Sequence, residues 1–188
     1  VNVTDIKAVS LPIPNMDKVY AVLDQIEADP EHWNQVQWSE ATECGTTMCF
    51  AGWACKMEGL KLQAETDSSR LARAYLANGD YIEYAAQEIL GLTDDEAFSL
   101  FAETIYDSDG DSLSNDDENH RAQMLYNVKV EVAKIAARAK EQHAAFGRVA
   151  KELIESVPEL EDVLKPGYLC PESRELVMKY LGGRDGGN

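Results

Sequence analysis

From Asp116 to Val157 the apolar residues recur three and four positions apart. Leu125, Val128, Val132 and Ile135 fall on one stripe, and Phe146, Val149, Leu153 and Val157 keep the same period. Side chains repeat direction every 3.6 residues on a helix and every two on a strand. The run therefore predicts a long amphipathic helix, which either continues or breaks near His143. An apolar stripe of that length needs other helices to cover it.

The rest of the chain supplies them. Asn15 can cap a helix over 16–29 with Val19, Val22, Leu23 and Ile26 on one face, and Pro30 follows its end. A short helix fits from Thr47, with Phe50, Trp53, Ala54 and Met57 in register and Gly59 as its stop. Further helices fit 68–76 and 80–90, the second ending at Gly91. Thr93 and Glu96 make a capping-box pattern for a helix carrying Ala97, Leu100, Phe101 and Ile105 inward. A last helix fits 172–181. The expected fold is all-α: an irregular single-domain bundle of about seven helices over 16–181, with at most a marginal strand pair. Residues 1–15, ending in Leu-Pro-Ile-Pro, read as an extended arm, 31–46 as a polar loop, and 182–188 as a flexible tail.

Charge narrows the functions open to such a bundle. The 188 residues hold 34 acids and 17 Lys and Arg, a net charge of −17. That sign opposes direct binding to nucleic acid or to anionic lipid. No secretory signal is read in VNVTDIKAVSLPIPN, and no run of 18 apolar residues suggests a membrane span. A cytoplasmic location with reduced thiols is expected. The charge is also uneven: Ala74–His120 contains no Lys or Arg and 13 of the acids. The expected role is an acidic face for a protein partner with a basic surface. A variant of that role is a DNA-mimic inhibitor, whose helix carboxylates imitate phosphates.

The densest motif runs through Trp33, Trp38, Cys44, Thr46, Cys49 and Ala51–Ala54. With Thr46 or Thr47 as cap, Cys49 lies in the first turn of a helix, where the dipole lowers a thiol pKa. One reading is a cysteine nucleophile at Cys49 with His120 or His143 as base. Another is a zinc site of Cys44, Cys49, Cys55 and His32, although Cys-x4-Cys and Cys-x5-Cys are long for zinc. The third is a core in which Cys49, Phe50 and Trp53 pack under the tryptophan loop.

These residues, with Leu90–Thr93, Glu96, Ala97, Leu100 and Phe101, carry a resemblance. The pattern Cys-x-Thr-x-x-Cys-x-Ala-Gly-Trp-Ala, followed by Leu-Gly-Leu-Thr-x-x-Glu-Ala-x-x-Leu-Phe, resembles a family of small uncharacterised actinobacterial and actinobacteriophage proteins. It covers roughly residues 16–101. Relatives often carry His before the second Cys, where this chain has Met48. The resemblance implies a small cytosolic protein, encoded by a phage or a bacterium, and no particular activity.

Residues 107–118 resemble an EF-hand loop. Asp107, Asp109, Asp111, Leu113, Asn115 and Glu118 occupy its ligand positions 1, 3, 5, 7, 9 and 12. Ser112 stands where the sharp turn calls for Gly, and Ser114 where a paired loop would place an apolar residue. Calcium is the cofactor this spacing implies. The alternative is an acidic turn in which Asn115 caps the long helix.

Overall fold

The computed structural model describes residues 3–36, 39–42, 45–62 and 76–156, and the side chains of 4–36, 47–62 and 76–156. Among these residues are six α-helices, two 3-10 turns and one two-stranded hairpin. The class is all-α, as the periodicity predicts. Of the seven expected helices, 172–181 lies outside the described residues, as does the 182–188 tail. So does the helix expected at 68–76, except Leu76, which bridges Leu62. The described residues divide into two compact units, 13–136 and 3–12 with 137–156.

The larger unit is built on α2 (Met16–Ala28), α3 (Phe50–Met57), α4 (Ile82–Leu90), α5 (Asp94–Phe101) and the first part of α6 (Glu118–Ser156). Asn15 caps α2 as expected, its Oδ1 accepting the Lys18 N–H at 3.3 Å. Val19, Val22 and Ile26 are buried beneath it. The first six residues of α3, Phe50 to Cys55, are all buried, and α4 adds Ile82, Ala86 and Leu90. Each large side chain so enclosed contributes about 1.5–3 kcal/mol. The Thr93–Glu96 capping box forms in both directions at 3.3 and 3.0 Å. On α6, Met124, Val128, Val132 and Ile135 enter this core, while Leu125 is only partly buried. The stripe is centred one residue earlier than its expected start.

Gly91 ends α4 in the left-handed conformation, φ 64°. A Cβ there would lie 2.1 Å from the Ile13 carbonyl oxygen. The glycine thus allows residues 13–15 to cross the helix end, where the Asn15 N–H donates to Leu90 O at 2.8 Å.

The expected loop at 31–46 is corrected. A 3-10 turn spans Pro30–His32, and β1 (Ser39–Thr42) pairs antiparallel with β2 (Gly45–Met48), Ser39 opposite Met48. β-Branched Thr47 favours the strand. Thr47 pairs with Glu40 in this ladder and does not cap a helix. The following helix starts at Phe50, and Cys49 is its N-cap residue in extended backbone, ψ −179°.

In the smaller unit, residues expected to be extended form α1 (Val3–Val9), and residues 10–12 follow it outside any helix or strand. The weak alternation of VNVTDIKAV is overridden by partners more than 120 residues away. Gln142 Nε2 donates to Ala8 O and Leu11 O at 3.0 and 2.8 Å. Arg138 donates to Pro12 O at 2.9 Å, and the Arg148 guanidinium forks onto the Asp5 carboxylate. Here α6 runs through His143 without a break, burying Ala139, Gln142 and Ala145. Among the described residues no helix is long and apolar enough to cross a membrane.

Candidate functional site

The end of α5 leads into the acidic segment. A 3-10 turn, Glu103–Ile105, buries Thr104, whose hydroxyl donates to Leu100 O at 3.1 Å. The chain then doubles back: Tyr106 bridges Ser112, and the Leu113 N–H donates to Ile105 O at 2.8 Å. Leu113 is buried and anchors the loop from its far side. Within it, Asp107 Oδ1 accepts the backbone N–H groups of Asp109 and Asp111 at 2.9 and 2.8 Å. Gly110, φ 85°, turns the tip, the work the missing Gly at 112 would have done. Position 107 thus holds the turn together from within.

Helix α6 begins at Glu118, and its cap is Asp117 rather than Asn115. Asp117 Oδ1 accepts the N–H groups of Asn119 and His120 at 2.8 and 3.3 Å. Those two backbone bonds, above all, hold the carboxyl below the usual carboxylate range. The same helix end therefore chooses the acid two residues later, which a helix dipole favours over a neutral amide. Asn115 Oδ1 is enclosed, with no hydrogen-bond partner among the described residues. His120 Nδ1 accepts the Ser114 N–H at 3.1 Å, tying loop to helix.

Of the six candidate calcium ligands, Asp109, Asp111 and Glu118 are exposed, Asp107 and Asn115 half-buried and Leu113 buried. Among the described residues no three His, Cys, Asp or Glu side chains are grouped to hold a metal ion.

Beside the loop lies a cleft of about 370 Å³. One wall comes from Glu103, Thr104, Tyr106 and Asp107, the other from one face of α6, including Tyr126, Asn127 and Glu131. Asn127 Nδ2 donates to Thr104 O and Tyr106 O at 3.1 and 2.9 Å, pinning the two walls together. Gln123 Nε2 orients that amide through Asn127 Oδ1 at 2.9 Å. Among the described residues no Lys, Arg or His lines the cleft. The α6 residues were missed in the sequence because Gln123, Asn127 and Glu131 lie beyond the base-free stretch. Their four-residue spacing beside the apolar stripe was the available signal.

The carboxylates of the acidic stretch are mostly exposed: Asp80, Glu88, Asp94, Asp95, Glu103, Asp109, Asp111, Asp116, Asp117 and Glu118. Ion pairs such as Lys18–Glu58 and Lys129–Glu27 take their acids from outside this stretch.

The Cys-Trp segment folds as core. Cys49 is 2% exposed, and burial pushes its thiol up to about 12. Cys55 is fully buried, its thiol likewise pushed up to about 12 by burial. A lowered pKa at the helix start is therefore not realised at Cys49: loss of water outweighs the dipole there. Neither thiol is ionised at neutral pH, which weighs against a nucleophile. His32 Nδ1 lies 2.7 Å from Asp29 Oδ1 in a local pair. Trp53 is buried, and Lys56 Nζ sits 4.5 Å above its ring. Trp38, Cys44 and Cys170 fall outside the described side chains.

Sequence reasoning also missed Gln35. It accepts the Trp33 Nε1–H and the Phe50 N–H, both at 3.1 Å, and donates to Leu100 O and Thr104 Oγ1, both at 2.9 Å. It thereby joins the tryptophan segment, the start of α3 and the turn that carries the cleft. Compared with protein-family models, curated proteins and solved structures, the chain has no match.

Proposed function

We propose that this chain is a binding protein that offers its carboxylate-rich segment to a basic stretch of a protein partner. What supports this reading is the cleft, where Glu103, Asp107 and Glu131 meet Tyr106 and Tyr126 with no base among the described lining residues. Exposed acids of the same sign extend from it along 80–118. Such a surface raises the local concentration of a cationic partner and orients it on approach.

The test uses a fluorescent eight-residue peptide of Lys, Arg and Ser. Saturable binding, weakened about tenfold between low and physiological salt, is the expected result. A variant with Asp94, Asp95, Asp107 and Asp109 all changed to Asn should lose it. The amide at 107 keeps an acceptor oxygen for the turn. Undiminished binding by that variant would sink the proposal.

Calcium at Asp107, Asp109, Asp111, Leu113, Asn115 and Glu118 is the competing reading, supported by ligand spacing. It requires millimolar calcium to raise Tm beyond an equal ionic strength of sodium chloride.

A further inference from the structure

The cleft has more definition than a charged face. Tyr106 and Tyr126 are 45% and 63% exposed, so two aromatic side chains of its lining stand in water. Val130 adds apolar surface, and Asn127 is held by its bonds to Thr104 and Tyr106. Three carboxylates lie among these groups. One cation reaches a lining residue from the same helix: Lys134 Nζ is 2.7 Å from Glu131 Oε1.

Carboxylates beside aromatic faces complement a cation with a broad, weakly hydrated body. An ammonium keeps its water and acts as a point charge. A guanidinium is planar, stacks on aromatic rings and forks onto carboxylates. The geometry points to a cleft that seats a single arginine side chain of the basic partner. This rests on the partner reading above and assigns that reading its anchor. Arginine entering the cleft competes with Lys134 for Glu131.

Three peptides decide it, identical except for a central Arg, Lys or citrulline between flanking lysines. Binding is measured by titration, with backbone NMR shifts locating the contact. The Arg peptide should bind at least about threefold tighter than the Lys peptide, and the citrulline peptide should lose that advantage. Tyr126→Ala, at an exposed position, should weaken the Arg peptide about fivefold and leave the Lys peptide nearly unchanged. Lys134→Ala should tighten the Arg peptide. Equal affinities for Arg and Lys, or an Arg peptide indifferent to Tyr126→Ala, would overturn the arginine seat. If the four-Asp variant still abolished binding in that case, the acidic-face reading would stand without it. If no peptide bound at all, both would fall.

Discussion

Gln35 is 3% exposed and uses both its amide oxygen and its amide nitrogen twice. Removing a side chain so placed strands donors and acceptors in a region that water does not reach, at about 1–3 kcal/mol for each lost partner. Gln35→Ala should therefore destabilise the protein by about 3 kcal/mol, seen as a lower urea midpoint with an unchanged slope. A loss under about 0.5 kcal/mol would mean that the network is not load-carrying in solution. Nothing local in the sequence distinguishes Gln35 from Gln37: both lie in a polar run, and the partners of Gln35 include Leu100 and Thr104, distant in sequence. Caps were legible because they are local. Asn15, Thr93 and Gly91 act on neighbours within four residues, apart from the close approach of Ile13. Where Asn115 and Asp117 competed for one helix end, spacing alone did not choose, and electrostatics favoured the charged residue.

The elements follow the same division. α2, α4 and α5 were legible from apolar period and punctuation together. The α1 helix was not, because seven residues are too few to hold a helix by propensity. It depends on Gln142 and on the Asp5–Arg148 pair. Gln142→Ala should leave the carbonyls of Ala8 and Leu11 without these donors and loosen α1 by about 1–3 kcal/mol. Hydrogen exchange over residues 3–11 would report this as faster exchange while α4 keeps its protection. Acid should do the same through Asp5. Its bond to Arg148 holds its carboxyl below the ordinary aspartate value of 3.8. A carboxylate depressed in the folded state stabilises fully above the unfolded pKa. That stabilisation fades below about pH 3.8 and is gone below the lower folded value. Protection in α1, taken relative to the intrinsic exchange rate at each pH, should therefore fall as pH falls through this window, and Arg148→Met should flatten the response. An acid response unchanged by Arg148→Met would show that Asp5 is not its source.

At the scale of the whole molecule, −17 is a cost to the fold and a resource for binding. Like charges repel in the compact state, and the repulsion is strongest where compensation is least. That is the segment with 13 acids and no Lys or Arg, whose uneven charge was plain in the sequence. Its cleft was not, because Tyr126, Asn127 and Glu131 come from a helix beyond it. Salt should consequently act with opposite signs on the two properties. Sodium chloride at about 0.3 M cuts the reach of exposed charge to below 10 Å, relieving repulsion within the fold and weakening attraction to a basic peptide. Melting temperature should rise by a few degrees as peptide affinity falls. Asp109→Asn with Asp111→Asn, both exposed at the loop tip, should raise Tm at low salt and shrink its further rise with salt. If salt lowered Tm, the ion pairs Lys18–Glu58, Lys129–Glu27 and Asp5–Arg148 would outweigh the repulsion. The acidic segment would then carry no electrostatic strain for a partner to relieve. If Tm rose while peptide affinity held constant, the peptide would be bound by something other than charge, and the basic-partner reading would lose its physical basis.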